Sequence, residues 1–180
     1  IFDPLDGTKN FIHGNGYFSI SIGLMHRKEI LAGATYNPIL NEFLWAHKGS
    51  GSWINNQRLR VSRRDKFEGS VFATGIQIKH TDILDRCVSQ VSHMLKKASI
   101  RIMGSAALDL AHVASGKFDG FWVSRLNIWD IAAGIILIKE AGGVCLNIEG
   151  KEFNPLKDEV LVASSSAISS QLLKNLQIFT

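Results

Sequence analysis

The chain opens with Ile1-Phe2-Asp3-Pro4-Leu5-Asp6-Gly7-Thr8-Lys9-Asn10-Phe11. Two apolar residues lead into an acidic turn in which Asp3 and Asp6 stand three positions apart. Pro4 sets its own φ and pushes Asp3 out of helical geometry. Gly7 has access to backbone conformations closed to other residues. Thr8 stands where a hydroxyl caps the start of a helix. The pattern predicts a strand end that turns sharply, aims two carboxylates at one point and then opens a helix. Convergent carboxylates repel each other unless a cation lies between them. Oxygen ligands, with no Cys or His in the motif, suit Mg²⁺ or Mn²⁺. A helix N-terminus beside such a cation presents backbone N–H groups to an anion such as phosphate. Each of these residues is also an ordinary turn former, so this stretch alone leaves a metal site and a plain turn both open.

A second stretch lies far along the chain, Trp129-Asp130-Ile131-Ala132-Ala133-Gly134 followed by Glu140-Ala141-Gly142-Gly143. One Asp leads a helix rich in small and apolar residues that stops on paired glycines. Taken together, the two stretches resemble the signatures of the inositol monophosphatase family, Mg²⁺-dependent and Li⁺-sensitive phosphatases. The family's motifs read Asp-Pro-aliphatic-Asp-Gly-Thr-x-Asn-Phe and Trp-Asp-x-Ala-Ala-Gly with a later Glu-Ala-Gly-Gly. The resemblance covers the whole chain, which begins in the middle of the family's pattern.

The resemblance implies a role for each matching position. Asp3 bridges two metal ions, the Leu5 carbonyl is a ligand of the first, and Asp6 with Asp130 holds the second. Thr8 orients the attacking water, and the amides of Gly7 and Thr8 hold the phosphate. Gly104, Ser105 and Ala106 match a turn beside the substrate's ring; read as residues, they are equally a helix start. Asp130 read by itself is favourable charge at a helix N-terminus. The implied cofactor is Mg²⁺, with Mn²⁺ possible and Li⁺ an inhibitor. The implied fold is a layered α/β/α/β/α sandwich of the inositol monophosphatase and fructose-1,6-bisphosphatase type, lacking its N-terminal helices. Residues 1–180 would then be a single domain matching about the C-terminal two thirds of the family's. The implied partners are a small phosphorylated polyol or sugar and a second copy of the chain.

Two departures bear on function. The family places a Glu of a Gly-Glu-Glu-type motif upstream of Asp3, where it completes the first metal site, and the quoted chain starts after it. In Phe121-Trp122-Val123-Ser124-Arg125, Val123 stands where inositol phosphatases have a Glu that accepts from substrate hydroxyls, and Val accepts no hydrogen bond. Ser124, Arg125 and Asn127 are then candidates to contact a different polyol, though a solvated turn explains them as well. Hydrolysis of inositol monophosphate or a related small phosphate is the leading expectation. A sugar bisphosphate, histidinol phosphate or 3′-phosphonucleotide substrate is the alternative. A catalytically impaired binding module, with RNA or the transcription machinery as partner, is the reading from another class.

Composition sets the wider bounds. The 180 residues, 46% of them hydrophobic, suffice for one domain with a real core. No apolar run is long enough to span a bilayer. Cys87 and Cys145 lack metal spacing and read as reduced thiols of a cytoplasmic protein. The net charge is +4, with Arg58, Arg60, Arg63, Arg64 and Lys66 its densest cluster. No aromatic alternates with these charges as single-strand binders require, so a solvated surface is the simpler reading.

Periodicity predicts an antiparallel meander first: strands over 17–24, 29–36 and 42–46, extended structure again at 53–54, then a strand over 70–74. An amphipathic helix over 82–97, capped by Thr81, places Ile83, Leu84, Cys87, Val88, Val91, Met94 and Leu95 on one stripe. Strands over 99–103, 119–123, 144–148 and 159–163 then alternate with helices over 105–115, from 129 to the paired glycines, and 167–177. A run of strands followed by alternating strands and helices makes layered α and β.

Overall fold

The computed structural model describes residues 1–179. A six-stranded antiparallel sheet is built in chain order from β1 (Phe2–Asp6), β2 (Ser19–His26), β3 (Glu29–Asn37), β4 (Glu42–His47), β5 (Ser52–Ile54) and β6 (Gln57–Arg58), with the short α1 (Thr8–Ile12) joining β1 to β2. The meander is as the alternation predicts. The strand β6, folded back across Asn55-Asn56, is too short to leave a periodic signal. The second sheet runs β10-β11-β9-β7-β8. Its strands are β7 (Val71–Gly75), β8 (Ser99–Arg101), β9 (Gly120–Ser124), β10 (Gly143–Leu146) and β11 (Val160–Ser165). The strands β7, β8 and β9 are parallel, and the edge made by β11 and β10 is antiparallel.

Four helices complete the chain: α2 (Thr81–Leu95), α3 (Ala106–Ala114), α4 (Ile128–Glu140) and α5 (Ser166–Leu176). Helices α3 and α4 lie between the sheets, while α2 and α5 cover the far face of the second sheet. The result is a β/α/β/α stack, which is the expected layered sandwich without an outer helical layer on the first sheet. Two cores fill the spaces between layers. Leu44, Leu110, Phe121, Ile135 and Leu161 belong to the one around α3 and α4. Phe72, Met94, Trp122, Ile168 and Leu172 belong to the one under α2 and α5. Strand β9 serves both, since alternate side chains of a strand point to opposite faces: Phe121 and Val123 go one way and Trp122 the other.

Strand β2 alternates as predicted, but its larger residues face outward. Ser19, Ser21 and Gly23 are buried while Ile20, Ile22 and Leu24 are exposed. The reason is the approach of α4. A Cβ at Gly23 would lie 2.7 Å from the Ala132 Cβ, and one at Gly33 would lie 2.7 Å from the Ala133 Cα. Only small residues fit on that face, so the apolar set points away from the helix. Phe2 and Phe43 join it on the same outer face, which no described residue covers. The hydroxyls of Ser19, Ser21 and Thr35 are buried without a hydrogen-bond partner. Each costs about 1–3 kcal/mol of desolvation, so the close seating of α4 is maintained against a penalty.

Several ends differ from the periodic reading. Thr81 is the first helical residue of α2 and makes no cap bond; His80 holds the cap position. The buried stripe of α2 is Ile83, Cys87, Gln90 and Met94, whereas Val88 and Leu95 are exposed because the helix meets its neighbours along a narrow line. Strand β8 stops at Arg101, two residues early, since Gly104 already turns at φ 86°. Both cysteines are buried and free. No helix of the described residues is long and apolar enough to cross a membrane.

The packing of α3 on α4 turns on Gly134. A Cβ there would lie 2.4 Å from the Leu110 Cβ. Gly134→Ala is expected to destabilise the fold by roughly 1–3 kcal/mol, the usual cost of overpacking. Urea unfolding measures it. Combination with Leu110→Ala is expected to cost less than the sum of the two single changes.

Candidate active site

The site forms where β1 ends and where α3 and α4 begin. In a regular strand two residues three apart point to opposite faces. Asp3 and Asp6 escape that rule because the pairing of β1 with β2 shifts register between them, from Asp3 opposite Ser21 to Asp6 opposite Ser19. Such an irregularity re-aims side chains, and Pro4 at this place contributes no ladder N–H. Asp130 arrives from the first turn of α4. One carboxylate oxygen from each of Asp3, Asp6 and Asp130 lies within 4.8 Å of the others.

Each carboxylate is held by backbone. The Leu5 amide donates to Asp3 Oδ1 at 3.0 Å. Asp6 Oδ2 accepts from Ser105 Oγ at 2.6 Å and from the Ala107 amide at 2.8 Å, which ties β1 to the N-terminus of α3. Asp130 Oδ2 accepts from the Asn127 amide at 3.0 Å, and Asn127 and Asp130 together form a capping box at the start of α4. The positive ends of two helix dipoles therefore face the same acidic cluster, which suits negative charge there.

Asp130 caps its helix and also points at Asp3 and Asp6. The 104–106 turn likewise starts a helix and borders a cleft. Ser105 is the N-cap of α3, accepting from the Leu108 amide at 3.4 Å, and Gly104, Ser105 and Ala106 line a cleft of about 300 Å³ that also contains Asp6 and Asp130. Thr8 is not a cap. Gly7, at φ 88°, takes the cap position of α1, and the Thr8 hydroxyl donates to the Leu5 carbonyl at 2.9 Å. Gly7 is required on two counts, because a Cβ would also lie 2.9 Å from the Tyr17 carbonyl oxygen.

Of the residues suggested as alternative substrate contacts, none lines the cleft. Ser124 is buried within β9. Arg125 is engaged by Asp82 and Glu159. Asn127 caps α4. The basic cluster is likewise partly engaged, with Arg58 over the Trp53 ring and Arg64 beside Asp119.

Three participants escaped the sequence reading. Asn10 donates from Nδ2 to the carbonyls of Tyr17 and Met103, at 2.7 and 2.8 Å, and so joins the first motif to the 104–106 turn. Asp109 lines the cleft and accepts from the Tyr17 hydroxyl at 2.7 Å. That hydroxyl also meets His112 Nδ1 at 3.2 Å. The Asn of the first motif was a signal for Asn10, whereas nothing local marks Asp109 or Tyr17.

Burial, and then the neighbouring Asp6, pushes the Asp130 carboxyl up to about 6. Burial first, with Asp3 adding to it, raises Asp6 although Ser105 and Ala107 act against the rise. Asp109 is pushed up to about 7, again mainly by burial. Burial lowers His112 to about 4. Asp6 and Asp130 thus resist ionisation as long as no cation faces them, and the oxygen-only donor set is of the kind a hard divalent cation takes.

Known proteins resemble this chain along nearly its whole length. The model of the inositol monophosphatase family matches residues 1–179. An inositol-1-monophosphatase of Caulobacter vibrioides is 40% identical, over 98% of this chain and 70% of its own. A protein of Thermotoga maritima named fructose-1,6-bisphosphatase/inositol-1-monophosphatase is 40% identical, over 97% of this chain and 66% of its own. The crystal structure of the extragenic suppressor protein suhB from Bartonella henselae superposes with a TM-score of 0.93 at 41% identity, covering 98% of this chain and 68% of that one. The chain thus spans about two thirds of the length of the relatives it matches. Motifs, layered fold and acidic cluster lead to the same place: the chain belongs to the inositol monophosphatase family.

Proposed function

We propose that the chain carries the site of a divalent-metal-dependent phosphomonoesterase acting on a small phosphorylated compound. The observation that supports this most is the convergence of Asp3, Asp6 and Asp130 at the N-termini of two helices. The relatives named inositol-1-monophosphatase support the reaction class, and the name of the Thermotoga relative extends the substrate range to bisphosphates.

The donor set fits Mg²⁺. Asp3, Asp6 and Asp130 would supply carboxylate oxygens and Leu5 its carbonyl. Mg²⁺ is usually held by one or two carboxylates, with waters and substrate phosphate filling the rest. When bound, the metal acidifies water and offsets charge on the transferring phosphoryl. The chain's own residues do the positioning. Asp6, braced by Ser105 and Ala107, and Asp130, braced by Asn127, hold fixed orientations. The Thr8 hydroxyl, already donating beside Leu5, orients the attacking oxygen. The amides of Gly7 and Thr8 and the dipoles of α3 and α4 meet phosphate charge without reorganising. Asp109 sits deeper in the cleft, bonded to Tyr17, and helps shape its floor.

Phosphate release from inositol 1-phosphate and from sugar phosphates in Mg²⁺ tests the reading. Asp3→Asn and Asp130→Asn are each expected to lower kcat/KM by about 100-fold or more, because the charge stabilisation at stake is several kcal/mol and each 1.36 kcal/mol is tenfold. Unchanged activity in both variants removes the assigned roles.

A pH dependence follows from the raised carboxyls. A carboxyl that holds its proton more tightly when folded contributes stability at low pH and loses it as pH rises towards its folded value. Without divalent cation, these carboxyls are therefore expected to lower thermal stability as pH rises through about 6 for Asp130 and about 7 for Asp109, while His112, lowered to about 4, acts in the opposite sense below its ordinary value. Asp109→Asn, which still accepts from Tyr17, flattens that fall. Mg²⁺ binds the ionised set, so it raises the melting temperature more at about pH 8 than at about pH 5. Equal Mg²⁺ shifts at both pH values contradict the site.

A further inference from the structure

We infer that Asp109 is the specificity-determining residue of the cleft, its Oδ2 pairing with an alcohol group of the substrate that Val123, in the same cleft, cannot serve. The inference rests on the phosphomonoesterase reading above and names a recognition residue of that same site.

The cleft offers a hydroxylated compound few partners. Val123, Leu126, Ile76 and Ile102 line it with hydrocarbon, and Val accepts no hydrogen bond. Asp6 and Asp130 turn to the acidic cluster. The Ser105 hydroxyl is engaged by Asp6 and by the Leu108 amide. Two acceptor side chains of the lining remain, Gln77 and Asp109. Among the described residues no hydrogen bond fixes the Gln77 side chain, whereas Asp109 is fixed by Tyr17. A group already held in place gains more from a correctly placed partner than one that must first be ordered.

The way Asp109 is held selects the oxygen left for a ligand. Asp109 is 1% exposed on α3, and the cleft it lines is its outlet. The Tyr17 hydroxyl donates to Oδ1 at 2.7 Å. A phenol has a single hydrogen, so the contact of that hydroxyl with His112 Nδ1 at 3.2 Å runs the other way, from Nδ1–H to the Tyr17 oxygen. His112 Nε2 is then a bare acceptor, buried without a partner. The chain from His112 through Tyr17 is thus directional and ends on Oδ1. Among the described residues Oδ2 takes part in no hydrogen bond or ion pair, and it is not sealed off as the hydroxyls of Ser19 and Ser21 are. A buried carboxyl with one oxygen fixed and the other open to a cleft is a polar group that a ligand completes. An alcohol suits it in either protonation state. Ionised, Oδ2 accepts from the hydroxyl; protonated, it carries the proton, because Oδ1 is occupied, and donates to the hydroxyl oxygen. Tyr17 is a positioning residue that acts through Asp109.

Matched esters that share a skeleton and differ in their hydroxyls test this in the full chain with Mg²⁺: inositol 1-phosphate against cyclohexyl phosphate, and glycerol 2-phosphate against isopropyl phosphate. The hydroxylated member of each pair is expected to have a kcat/KM about tenfold or more higher, the effect of one hydrogen bond to a charged group. Asp109→Leu brings that ratio close to one, and the Tyr17 hydroxyl then still has His112 Nδ1 as a partner. Asp109→Asn, which keeps the Tyr17 bond and presents an NH₂ to the cleft, lowers the ratio several-fold. Tyr17→Phe lowers it in the unmodified chain but leaves it unchanged in the Asp109→Leu background, which a merely structural Tyr17 would not do. Melting curves check that each variant is folded, and where Asp109→Leu does not fold, Asp109→Asn decides. Ratios near one in the unmodified chain, or a ratio untouched by Asp109→Asn, overturn the inference. Calorimetric titration of the same pairs separates it from the reading it rests on. Preference for the hydroxylated esters that Asp109→Asn weakens, without phosphate release, upholds the role of Asp109 and removes the hydrolase. Phosphate release with no preference for hydroxyls upholds the hydrolase and removes that role.

Discussion

The repulsion among three carboxylates is the constraint on which the rest of the molecule depends. Left to themselves, Asp3, Asp6 and Asp130 would separate, because like charges a few ångströms apart repel each other. They stay together because each is pinned by backbone and because the elements carrying them have no room to move. Asp6 is the joint between β1 and α3. Asp130 is locked into the capping box of α4. The folded protein thus holds an electrostatic penalty that a divalent cation would relieve.

What keeps α4 in place is a layer of small residues. Gly23 and Gly33 let the helix touch the sheet at Ala132 and Ala133, and Gly134 lets α3 touch α4 at Leu110. The Ala-Ala-Gly after Asp130 is therefore a packing device, and it sets where the Asp130 carboxylate points. Buried serines without partners on β2 are a cost of the same arrangement. Site and core are in this respect one structure: a larger side chain on the inner face of β2 or β3 would displace Asp130 without touching it.

The cleft combines two kinds of lining. Asp6 and Asp130 bring carboxylates beside the start of α3, whereas Val123 is apolar and Lys9 and Lys79 are cationic. The last three lie on three separate elements, β9, α1 and the segment after β7, so they can vary without disturbing the carboxylates.

The meander, the later alternation of strands and helices, and the three acidic residues that converge were legible in the sequence, because strand and helix periodicity and the two motifs are local patterns. The sequence also carried the irregular turn at Asp3-Pro4-Leu5-Asp6. Only the tertiary structure decided which face of β2 is buried: alternation reveals that two faces differ, and the close approach of α4 selects the one with serine and glycine. Only the tertiary structure joined Asn10 to the 103–104 turn, brought Tyr17 to Asp109 across 92 positions, and set Lys9 beside the same cleft as Lys79. It also gave Gly7 the cap position that Thr8 was expected to hold, because the tight approach of Tyr17 and Phe18 admits no side chain there. Contacts between distant segments depend on how layers stack, and no pattern within a single segment encodes that.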